Sequence, residues 1–167
     1  MEETLVRKLD TAEYMKIVRS LLEEGREVPL VVAGNSMIPF LADQRDKILI
    51  ERVDRPLKRG DIAFFQRRNG QYIMHRICRV RRDKDTGRWQ YWFVGDAQTI
   101  VEGPIEREQI FGLITEVERK GRNIRENSAL WFFFRTAWLW VRPFRRWIMS
   151  AYEVVKKFCL FLRKIGR

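Results

Sequence analysis

The sequence predicts a mainly β domain with a helix in front of it and a helical tail behind it. Three observations carry that expectation. Short apolar runs alternate with polar residues and turn signals through residues 29–117. A helical periodicity occupies residues 11–24, and from residue 121 the chain turns basic and aromatic. The expected segments are residues 1–27 as an N-terminal helix, 28–120 as the β-rich domain, and 121–167 as an amphipathic helical tail.

In the first segment, Tyr14, Ile17, Val18, Leu21 and Leu22 recur at helical spacing, and Gly25 follows as a stop signal. No charged-then-apolar leader precedes them, so neither a cleavable signal nor an N-terminal anchor is expected. Strands are expected over Leu30-Val31-Val32, 47–53, 61–66, 71–80, 89–94 and 110–118. Asn69-Gly70 is a strong hairpin signal between two of them. Short strands at this spacing predict an antiparallel barrel or folded sheet.

The charge is unevenly placed. Residues 1–120 hold 22 Lys+Arg against 20 Asp+Glu, a net of +2, whereas residues 121–167 hold 11 against 2, a net of +9. The apolar run 129–141 is shorter than the roughly 20 residues a membrane span requires. After Pro143, a stripe of Phe144, Ile148, Ala151, Val155, Phe158, Leu162 and Ile165 recurs every three or four residues. Arg145, Arg146, Lys156, Lys157, Arg163 and Lys164 fall largely opposite it. That is the pattern of a helix lying on an anionic membrane surface, with Trp131, Trp138, Trp140 and Trp147 at the boundary. Helices packed on the domain or on a second subunit are the competing reading. Nucleic acid is disfavoured, because so long an apolar stripe has no use there. The expected location is cytoplasmic or peripheral at a membrane.

Chemistry concentrates at Gly34-Asn35-Ser36-Met37-Ile38-Pro39-Phe40, a small nucleophile in a turn between apolar runs. His75, the chain's sole histidine, follows in a strand, and Asp96 follows in a Gly-Asp turn. A serine hydroxyl needs a base to take its proton, and the base needs a group to orient it. Ser36, His75 and Asp96 are the minimum set for that. Cys78 and Cys159 form neither a disulfide framework nor a metal-ligand spacing. No zinc, P-loop or dinucleotide motif is present, so no cofactor is implied.

Residues 34–41 resemble the Ser-Met-x-Pro box of the signal peptidases and the LexA-type self-cleaving repressors. Asp46-Lys47-Ile48-Leu49-Ile50, Arg59-Gly60-Asp61-Ile62, Met74-His75-Arg76-Ile77 and Gly95-Asp96 are similar to further segments of that family, in the same order. The resemblance covers residues 29–115, about half the chain. It implies an antiparallel, barrel-like peptidase domain and a Ser-His enzyme of the archaeal and endoplasmic-reticulum type, because His75 stands where bacterial relatives carry a lysine. It further implies acyl transfer to Ser36, with His75 as base and Asp96 orienting it. Gly34, Asn35, Met37 and Pro39 would be the substrate contacts, and the substrate a leader or precursor peptide with small residues before the cut. Gly34 departs from relatives that offer a hydroxyl there, so backbone N–H groups would hold the oxyanion. Arg76 and Asp61 are expected in scaffold roles, and Lys47 is expected to face solvent. The alternatives are a non-catalytic membrane-associated adaptor and a self-cleaving regulator. For the latter, the residues before the serine leave no room for a DNA-binding unit.

Overall fold

The computed structural model describes residues 11–155 except 146 and 153. The expected stripe residues Phe158, Leu162 and Ile165, and the basic residues Arg146, Lys156, Lys157, Arg163 and Lys164, lie outside the described residues, as does Cys159. The chain runs α1 (Thr11–Glu23), β1 (Val28–Val31), β2 (Asp46–Glu51), β3 (Ile62–Gln66), β4 (Tyr72–Arg82), β5 (Trp89–Val94), β6 (Glu102–Glu106), β7 (Ile110–Arg119), β8 (Arg122–Arg125), α2 (Ala129–Arg135) and α3 (Ala137–Trp140).

All eight strands pair antiparallel in one sheet ordered β1-β2-β7-β3-β4-β5-β6, with β8 added to β7. The sheet is open: β1 and β6 do not meet, so the barrel-like closure expected from the sequence is not formed. Alternation explains the pairing. In β2, Asp46, Ile48 and Ile50 are buried while their neighbours face outward. Two strands were not legible. β6 contains Gly103 and Pro104, which read as breakers, yet proline is tolerated on the sheet edge that β6 occupies. β8 lies beyond the expected domain boundary at 120, joined to β7 by Lys120 and Gly121. Both of those residues have positive φ, the twist a two-residue hairpin needs.

Two apolar clusters fill the fold. The first combines Met15, Val18 and Leu22 of α1 with Ile48, Ile50, Ile62 and Val117 of the sheet. Met37, Phe40 and Leu41 join it from the loop after Ser36, and Trp131, Phe134 and Trp138 from the tail. The second holds Ala63, Phe65, Ile77, Tyr91, Phe93 and Ile105. On α1, Tyr14 and Ile17 are exposed and Met15 is buried instead. The helical stripe is therefore 15-18-22, one residue round from the expected face.

The tail reading changes most. Trp131 is 0% exposed, and Trp138 is buried beside Phe134, their ring centroids 5.5 Å apart. Residues 131, 134 and 138 form a short helical stripe turned into the domain, capped by Ser128, whose hydroxyl accepts the Trp131 N–H. The front of the tail is thus part of the core. Trp140 and Trp147 are 74% and 80% exposed.

Candidate active site

The serine turn is built from both ends. β1 delivers the chain to Gly34, whose φ of 89° suits glycine and whose N–H donates to the Asp43 carboxylate at 2.8 Å. Asn35, the next residue, has no positive φ. Beyond Ser36 the loop is anchored by Asp46, a buried carboxylate accepting from the Ala42 N–H at 2.9 Å and from Arg45 and Arg119. The two guanidiniums also donate to the Phe40 carbonyl. Burial raises the Asp46 pKa, but the hydrogen bonds from Arg45, Arg119 and Ala42 outweigh it and leave the carboxyl below its ordinary value. This clamp spans 73 residues, and nothing local in the sequence announces it.

Ser36 is half-buried, and its carbonyl accepts the Ala97 N–H at 2.9 Å. A Cβ on Gly95 would stand 2.6 Å from that same oxygen, so glycine permits the 95–98 turn to approach the Ser36 backbone. β5 ends at Val94, the partner of Arg76, and the turn leaves the sheet there. The serine turn consequently abuts the end of β5, at the level where β4 carries His75 and Arg76. The N–H groups of Ser36 and Met37 donate to no protein acceptor among the described residues.

His75 pairs with Ala63 across β3 and faces the second cluster, its ring 6.5 Å from that of Phe65. It is only 6% exposed, and its Nδ1 is buried without a hydrogen-bond partner. Burial pushes its pKa down to about 4; Glu102 and Asp96 raise it and Arg67 lowers it, but none of them reverses the shift. The imidazole is therefore neutral at pH 7, the form a general base requires. No hydrogen bond joins Ser36 Oγ to His75 among the described residues.

Asp96 has another partner than the one expected. Its two oxygens accept from Arg76 Nε at 2.9 Å and Nη2 at 2.7 Å, and both side chains are fully buried. Arg76 Nη1 also donates to the Gly60 carbonyl at 3.0 Å. With its oxygens held there and His75 Nδ1 unpartnered, Asp96 does not orient the imidazole in this structure. Of the expected substrate contacts, Gly34 and Asn35 are exposed and Pro39 is half-buried. Met37 is 1% exposed within the first cluster, so it supports the turn from beneath rather than meeting a substrate. Asp61 is buried and accepts from Arg55, Arg135 and the Lys58 N–H, a scaffold role. Lys47 reaches outward to Glu118 at 3.5 Å.

Two residues at this site were missed: Trp138 and Arg145, both assigned from the sequence to a membrane-facing tail. Each is buried and donates to carbonyls of the 95–98 turn. No protein-family model matches the chain, and no curated protein matches it.

Proposed function

We propose that this protein is a serine endopeptidase of signal-peptidase type. Ser36 attacks a peptide carbonyl as His75 takes the hydroxyl proton, and the imidazolium then protonates the leaving amine. The N–H groups of Ser36 and Met37 hold the oxyanion. Water releases the acyl-enzyme. The working unit is a dyad, because Asp96 serves Arg76. The Ser36–His75 hydrogen bond forms when substrate binds, as such bonds often do only in the bound complex. Substrate adds as a strand along the outer edge of β1, which among the described residues pairs only with β2 and leads directly into the serine turn. A leader or precursor peptide, extended and small at the cut, suits that edge.

The observation that carries this reading is the meeting of three separate segments. The Ala97 N–H binds the Ser36 carbonyl, and Asp96 binds Arg76, the β4 residue after His75, whose own ring turns to the other face of the strand. Peptide-library digestion followed by mass spectrometry tests it. Wild type is expected to give discrete cuts that Ser36→Ala does not. A wild type as silent as Ser36→Ala across peptides and detergents would favour the adaptor reading.

An anionic membrane surface is the proposed partner. Among the described residues no helix is long and apolar enough to cross a membrane. Phe132, Trp140, Phe144 and Trp147 are nevertheless exposed. Arg59 and Arg79, which have no carboxylate partner among the described residues, flank an open cavity of about 480 Å³ with Trp92 and Trp140. Arg59 stacks on Trp140 and Arg79 on Trp92, and exposed aromatics beside arginines that no carboxylate neutralises suit an anionic lipid interface. Deleting 129–167 would strip Trp131, Phe134 and Trp138 from the core, so point changes make the better test. Trp140→Ser with Trp147→Ser should abolish co-sedimentation with phosphatidylglycerol vesicles while cleavage of a soluble peptide persists. Unchanged sedimentation would remove this surface from the proposal.

A further inference from the structure

We infer that Trp138 and Arg145 are positioning residues for the nucleophile, acting through the 95–98 turn. The inference rests on the peptidase reading for its functional half, and on hydrogen bonds alone for its mechanical half. The turn touches the serine directly: Ala97 donates to the Ser36 carbonyl at 2.9 Å, and Gly95 lies too close to that oxygen to carry a side chain. The turn's own carbonyls are held from the C-terminal segment. Trp138 Nε1 donates to the Asp96 carbonyl at 2.9 Å. Arg145 Nη1 donates to the carbonyls of Gly95 at 2.9 Å and Gln98 at 3.1 Å.

The two side chains also secure each other. Arg145 Nη2 donates to the Trp138 carbonyl at 2.9 Å, and its guanidinium lies 5.3 Å from the Trp138 ring centroid. Both residues are buried, and losing the Trp138 bond leaves the carbonyl of buried Asp96 unsatisfied, whereas the Gly95 carbonyl keeps the Gln98 N–H. The planar, five-donor guanidinium spans two carbonyls of a turn and a third on α3, which an ammonium cannot match. On the other side, Arg76 fixes the Asp96 carboxylate. The turn is thereby gripped from β4 and from the C-terminal segment, and its Ala97 N–H sets the height of the Ser36 backbone. Displacing the C-terminal segment moves the turn, and moving the turn shifts Ser36 relative to His75. A misplacement of about 1 Å in a reacting group can cost about 100-fold in rate.

The test uses the full chain with Trp138→Phe, which keeps an aromatic ring against Phe134 but removes the donor, and Arg145→Lys, which keeps charge but not the fork. Amide hydrogen exchange is followed in peptides covering 33–41 and 95–98, with the β3–β4 ladder as internal reference. Ser36 labelling by a fluorophosphonate and peptide kcat and KM are measured on the same samples. In each variant exchange should rise about five- to tenfold in those two segments alone, the loss of one hydrogen bond. Labelling and kcat should fall at least as much, with KM within about twofold of wild type. Exchange unchanged in 33–41, or raised equally throughout the sheet, would overturn the inference. Exchange changing as expected while wild type itself neither labels nor cuts would sink the peptidase reading and leave the mechanical link standing.

Discussion

Asp96→Asn should cost about 3–5 kcal/mol of folding stability, a large share of the 5–15 kcal/mol of a domain this size. The variant leaves the Arg76 guanidinium buried at 0% exposure with only neutral acceptors, the Gly60 carbonyl and one amide oxygen, and no opposing charge. Breaking one partner of such a pair is far more damaging than replacing both. Arg76→Met with Asp96→Leu should therefore recover much of the loss, and the double-mutant cycle should show strong coupling. Urea unfolding monitored by tryptophan fluorescence measures both. The result separates two roles for Asp96. A carboxylate that only oriented His75 would leave the fold intact as asparagine and lower kcat, whereas one that holds the 95–98 turn to β4 lowers stability first. Stability of Asp96→Asn within about 1 kcal/mol of wild type would contradict the scaffold role.

His75→Leu should behave in the opposite way. Its Nδ1 is buried without a partner, so an apolar side chain of similar size removes a desolvation cost. Stability should hold or rise, while peptide cleavage falls about 10²–10⁴-fold, the usual contribution of a positioned general base. Gains in stability paired with lost activity mark residues kept for function. The pH dependence follows from burial. With the folded pKa near 4, the base is already neutral through pH 5–8, so the rate should stay flat there and fall only below about pH 5. That moves the acid limb below the ordinary histidine range near 6.5. The same shift makes a stability statement. Between pH 6.5 and 4 the unfolded chain binds the proton that the folded chain refuses, so stability is lost as pH falls through that window, by about 3 kcal/mol. His75→Leu should lack this slope. A cleavage rate climbing steadily from pH 8 to 10 would point to a different base.

The β-rich middle was legible because alternation and turn chemistry are local. Asn69-Gly70, the Ile48 and Ile50 alternation and the Ser36 turn all sit where residue pattern alone puts them. The tail was not, because tryptophan and phenylalanine at helical spacing serve a protein core and a membrane boundary equally well. The 131-134-138 stripe and the Ser128 cap were the available signals, masked by the intervening Phe132 and Phe133, which are exposed. Arg145 misled for a related reason. A basic residue opposite an apolar stripe reads as solvated, yet its donors find three backbone carbonyls inside the fold. The Asp96–Arg76 pair spans 20 residues, and either of two neighbours on β4 could have claimed the carboxylate. Only three-dimensional register decides that Arg76 and not His75 takes it.

In the proposed chemistry the Ser36 hydroxyl is the nucleophile and the His75 imidazole activates it. Fluorophosphonate treatment followed by tryptic mass mapping tests it most directly, since it needs no knowledge of the substrate. A single phosphonyl adduct is expected on the peptide bearing Ser36, absent in Ser36→Ala and at least about 100-fold slower to form in folded His75→Leu. An adduct on another residue, or labelling of Ser36 at an undiminished rate in His75→Leu, would contradict it.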